Sequence, residues 1–63
     1  MHAMSSDELI RKLKEAGWRL ARVNGSHHIF VHPQKRRSAV VPHPRKDLTP
    51  GVVHTVLKIA GLK

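Results

Sequence analysis

The chain reads as an α+β protein with the order α-β-β-β-α: a three-stranded antiparallel sheet with two helices on one of its faces. Three observations predict this. Apolar residues recur at helical spacing in the first sixteen residues, alternate with polar ones from Trp18 to Val41, and return to helical spacing after Thr49. Asn24-Gly25 is a strong hairpin signal between two of the alternating runs. Both helical stretches begin on recognisable caps, Ser5 with Glu8 and Thr49 with Pro50.

The elements follow in order. Ser5-Ser6-Asp7-Glu8 is a capping box, with acidic residues at the positive end of the helix dipole. Leu9, Ile10, Leu13 and Ala16 make the apolar stripe of the first helix, and Gly17 ends it. The first strand opens at Trp18-Arg19-Leu20-Ala21-Arg22. The second runs from His27 to His32, with His27, Ile29 and Val31 on one face and His28, Phe30 and His32 on the other. Pro33 to Arg37 is a basic turn, and Ser38 to Val41 is the third strand, ended by Pro42. Pro42 to Leu48 reads as a loop because two prolines resist both strand and helix. Thr49 to Ala60 is the second helix, with Val52, Val53, Val56, Leu57 and Ala60 inward and Gly61 as its stop. Residues 5–63 form one domain. Met1-His2-Ala3-Met4 reads as a disordered start, an expression remnant or an upstream initiation.

Composition narrows the chemistry. The chain has 63 residues, no cysteine, no tyrosine and a net charge of +8. Disulfides, thiolate metal sites and thiol nucleophiles are thereby excluded. No apolar run approaches the ~18 residues of a membrane span and no signal peptide is visible, so a cytoplasmic protein is expected. Three of the four carboxylates, Asp7, Glu8 and Glu15, balance Arg11, Lys12 and Lys14 within the first helix. The whole +8 therefore lies beyond it, and a polyanionic partner such as RNA is the natural inference. Asp47 is the one remaining carboxylate, too little for a two-metal nuclease or a paired-carboxylate glycosidase.

Six histidines are then the only side chains that titrate near neutral pH. His28 and His32, four residues apart on one strand, are separated by roughly 13 Å and cannot share a zinc ion. No third ligand accompanies His28 and His43, so neither a metal nor another cofactor is expected. His27 reads as half-buried packing, and His54 as an outer residue of the second helix beside Lys58. His28, Phe30 and His32 are expected on the uncovered face of the sheet, where Phe30 can stack a base. Lys35, Arg36, Arg37, Arg45 and Lys46 are candidates for phosphate contacts. An enzyme built from these residues works by histidine acid–base catalysis, with phosphodiesters the expected substrate. His43, His32 or a lysine are the candidates for a complementary second acid or base.

The ordered set Gly25-Ser26-His27-His28, His32-Pro33, Val41-Pro42-His43-Pro44, Pro50-Gly51 and Ala60-Gly61-Leu62 resembles the HicA toxin family. Leu9-Ile10 through Gly17-Trp18 is also similar to it. The resemblance implies a double-stranded-RNA-binding-domain-like fold. It also implies an endoribonuclease toxin that cuts mRNA, and a HicB-type antitoxin that neutralises it by covering the active site. It places the catalytic histidine, the last residue of a Gly-Ser-x-His motif, at His28, with Gly25 and Ser26 matching. On the chemistry, Gly25 would let backbone approach a phosphate, and Ser26 would bind that phosphate or orient the histidine. The competing readings are a non-catalytic RNA-binding module of the same fold and a small DNA-binding or assembly protein.

Overall fold

The computed structural model describes residues 4–62, and the reading of Met1-His2-Ala3 as an added or disordered start lies outside them. The element order is α1 (Ser6–Glu15), β1 (Arg19–Asn24), β2 (His27–Val31), β3 (Ala39–Pro42) and α2 (Pro50–Ala60). It is the α-β-β-β-α fold expected from the sequence. The strands form an antiparallel meander with β2 in the centre.

Local chemistry explains the boundaries. Ser5 caps α1 by accepting from the Glu8 amide, while the Glu8 carboxylate accepts from the Ser5 amide. Thr49 accepts from the Val52 amide at the start of α2, and Gly61 ends that helix in the left-handed region. The β1–β2 hairpin turns on Gly25 and Ser26, because Asn24 and His27 are already paired. Gly25 has φ +63° and Ser26 does not have positive φ, the combination that a glycine-first hairpin turn requires. The Asn-Gly signal thus finds the hairpin but lies one residue too early.

Leu9 and Leu13 of α1 and Val56 and Ala60 of α2 close over Phe30, Ala39 and Val41. Trp18 and Leu48 complete the buried cluster. Met4, placed before the domain on sequence grounds, packs against this core, and its carbonyl accepts from the Leu48 amide at 2.9 Å.

The faces of β2 alternate as expected, but their assignment reverses. Phe30 is 1% exposed and pairs with Ala39, and His28 pairs with Val41, both partners being fully buried. The face carrying His28, Phe30 and His32 is therefore the helix-covered one. His27, expected half-buried, is exposed, and the open face carries Val31 and Val40. The physical reason lies in β3. Ala39 and Val41 are the small apolar partners that a helix can approach, and they fix which side of β2 faces inward.

β1 is an edge strand with every residue exposed. A bulge leaves Ala21 unpaired between Leu20–Phe30 and Arg22–Ile29. Arg19 and Arg22 consequently lie on the same, open face, although they are three residues apart.

Candidate active site

His28 is the second residue of β2 and His43 lies one residue beyond β3. The Val41–His28 pairing and a 2.7 Å hydrogen bond from the His43 amide to the Ser26 carbonyl bring the two together. Their rings meet edge to face, with centroids 4.7 Å apart and planes at 80°. Ser26 thus contributes through its backbone, fixing the loop that carries His43. Its hydroxyl and Gly25 are exposed on the turn alongside, and a methyl group at Gly25 would meet nothing within 4 Å.

His43 is held from its other side by α1. The Ser6 hydroxyl, in a residue 1% exposed, lies 2.7 Å from His43 Nδ1. The same oxygen accepts from the Arg45 amide at 2.9 Å and stands 3.1 Å from the Arg45 carbonyl. The Ser6 amide donates to that carbonyl at 2.9 Å. A hydroxyl has one proton, so it goes either to Arg45 or to His43, and in the first case His43 Nδ1 is itself the donor. Either way Nδ1 is occupied, and Nε2 is the nitrogen left for exchange with a substrate. Asp7 Oδ1 lies 3.8 Å from Nε2, on a side chain 88% exposed. Ser, His and Asp in this order invite comparison with a nucleophilic triad, but the serine is buried and hydrogen-bonded to backbone. It positions the histidine.

His28 Nδ1 is buried and has no hydrogen-bond partner. An unpaired buried polar atom costs about 1–3 kcal/mol, and native proteins keep few of them. With Nδ1 enclosed, only Nε2 of His28 can reach a substrate. The pair stands at an open rim, and none of three grooves elsewhere on the surface is lined by either ring.

Several sequence expectations change here. Phe30 cannot stack a base, because it is core. His32 is engaged at both nitrogens: Nε2 donates to the Ala16 carbonyl at 3.2 Å, and Nδ1 accepts from the Gln34 amide at 3.0 Å. It also packs against Trp18, with ring centroids 5.4 Å apart. His32 therefore ties the end of α1 to the end of β2, and neither of its nitrogens is free to serve as a partner for His28. Arg45 and Lys46 project from the loop that Ser6 pins, next to the rim, and are exposed. Lys35, Arg36 and Arg37 lie past the opposite end of β2 and line a groove with α2. Ser6 was missed on sequence because it reads only as a helix start. Among the described residues, no three His, Cys, Asp or Glu side chains are grouped to hold a metal ion.

Comparison with known proteins points to one family. A family profile described as the HicA toxin of bacterial toxin-antitoxin systems matches residues 6–62. A solved structure, the "HicA3 and HicB3 toxin-antitoxin complex", contains a chain 39% identical to this one with a TM-score of 0.81. That alignment covers 95% of this chain and 97% of the other. No curated protein matches.

Proposed function

Because the chain belongs to the HicA toxin family, we propose that it is a cytoplasmic endoribonuclease that cuts mRNA and is silenced by a HicB-type antitoxin. The observation that carries this reading is the His28–His43 pair, 4.7 Å apart, with one ring locked by a buried serine. Two imidazoles side by side supply a base and an acid near neutral pH without any other cofactor.

His28 Nε2 takes the proton of a ribose 2′-hydroxyl. The 2′-oxygen attacks the adjacent phosphorus, and the bond from phosphorus to the 5′-oxygen breaks. His43 Nε2 delivers a proton to that leaving oxygen. The products are a 2′,3′-cyclic phosphate and a free 5′-hydroxyl, and the proton count balances. His43 is given the acid role because Ser6 holds its Nδ1 and leaves Nε2 facing outward beside Asp7. His28 is given the base role because its Nδ1 is enclosed and only Nε2 can face the 2′-hydroxyl. Gly25 leaves room for a phosphate at the turn, the Ser26 hydroxyl is within its reach, and Arg45 and Lys46 neutralise flanking phosphates.

The likeness to a chain in a HicA3–HicB3 complex supports a HicB-type partner. With Phe30 interior, the surface such a partner must cover is the His28–His43 rim and its basic loop.

His28→Ala tests the reading directly. Cleavage of a defined RNA in EDTA is expected to fall by about 10²–10⁴-fold, the usual contribution of a general acid or base. Growth arrest on expression should be lost with it. Unchanged cleavage by the alanine variant would remove His28 from the mechanism, and undiminished cutting of a 2′-deoxy substrate would remove the 2′-oxygen.

A further inference from the structure

The turn after β2 and the outer side of α2 enclose a groove of about 520 Å³. Lys35, Arg36 and Arg37 form one wall; His54, Lys58 and Thr55 form the other, above Ile59. No carboxylate lines it. His54 and Lys58 are four residues apart on α2 and so share one helix face. Lys35 reaches toward the end of α2: a methyl group built on Gly61 would come within 3.0 Å of its Nζ. Its ammonium therefore lies over the C-terminal turn of α2, where the helix presents unpaired carbonyls and negative potential. Arg36, Arg37 and Lys58 are exposed beside it, so the groove presents a set of cations.

We propose that this groove is a second seat for the RNA strand, a phosphate-binding exosite separate from the His28–His43 rim. The inference rests on the reading of the protein as an RNA-acting toxin. The chemistry favours a nucleic-acid strand over an acidic protein segment. Four of the seven lining residues, Lys35, Arg36, Arg37 and Lys58, are lysine or arginine and none is acidic, the one-signed charge that a phosphate backbone neutralises. Cations, a hydroxyl and two guanidinium planes match phosphates, ribose and base faces. Placement sets a minimum length. His28 lies near the start of β2 and His32 just past its end, roughly 13 Å apart at about 3.3 Å per residue, and the groove begins beyond His32. A dinucleotide at the rim cannot reach it, whereas a longer strand can occupy both.

The test measures binding in a His28→Ala background, so that RNA stays intact and the result does not depend on cleavage. The probes are a dinucleotide and a single strand of roughly 12 nucleotides, within the range of known single-strand sites. The longer strand should bind more tightly. Combining Arg36→Gln with Lys58→Gln should reduce that advantage about tenfold. It should also flatten the dependence of log affinity on log salt by about 1.4, at about 0.7 for each phosphate of a single strand that is no longer neutralised. Arg36→Lys with Lys58→Arg, which keeps the charge, should restore the salt slope. An unchanged slope and length advantage in the Gln pair would overturn the exosite. Weakened binding of a HicB-type antitoxin with RNA binding intact would assign the groove to the protein partner and overturn it too. If the wild-type protein fails to cut RNA while the length advantage persists and depends on Arg36 and Lys58, the nuclease reading falls and the exosite stands.

Discussion

Ser6 shows how much one small side chain can organise. Its hydroxyl and amide make four polar contacts with the loop carrying His43 and Arg45, across 37 to 39 residues of sequence, and Asp7 adds one more to His43. Ser6→Ala leaves His43 Nδ1 and the Arg45 amide without that partner. A stability loss of about 1–3 kcal/mol is expected in chemical denaturation, the usual penalty for stranding buried polar groups. On the proposed mechanism kcat for cleavage should fall as well while RNA affinity is kept, because the His43 ring is no longer held in one orientation. A purely structural serine would lower stability and leave kcat of the folded protein alone. His32 is the contrasting case. It is a histidine with both nitrogens engaged in backbone contacts, and those contacts were invisible in sequence because they join Ala16 and Gln34 across a turn of the fold.

At the level of elements, caps and periodicities were legible because they are local. The Ser5–Glu8 box, the Thr49 cap and the Gly61 stop act over three or four residues, and all are present. The hairpin was legible for the same reason, to within one residue. The side of the sheet that faces the helices was not. Alternation in β2 separates Phe30 from Ile29 but does not say which is inside, and the two histidines flanking Phe30 argued for the wrong side. Ala39 and Val41, paired across to Phe30 and His28, decide the matter. Gly17 shows a local and a tertiary demand meeting in one residue. It has φ +95° after α1, and a methyl group there would come within 3.0 Å of His32 Nε2. Gly17→Ala is therefore expected to lower the unfolding free energy by more than ~1 kcal/mol, the scale of glycine substitutions whose backbone an alanine cannot adopt. Equal stability would show that the α1–β1 junction relaxes without His32.

On the scale of the whole molecule, charge and chemistry divide the surface. Both helices lie nearest β3, and β1 is left as a bare edge guarded by a bulge and two arginines. The His28–His43 pair sits at one end of the sheet and the cationic groove past the other. Sequence located the charge correctly as lying beyond α1, but it could not show that Lys35 to Arg37 and Arg45 to Lys46 serve different places. A HicB-type antitoxin that silences the toxin at its rim should slow amide hydrogen exchange at residues 43–46 and leave the 35–37 turn unprotected. The reverse pattern would mean that inhibition acts through the groove.

The clasp between Ser6 and the 43–45 loop, closed again by Leu48 on Met4, also bears on when this chain becomes dangerous to the cell making it. In chain order His28 comes first, on a hairpin that has neither its second histidine nor the strand that aligns it. The pair can close only once residues up to Leu48 are free to fold back onto the helix made first. A copy broken off before that loop has no means of bringing the two rings together.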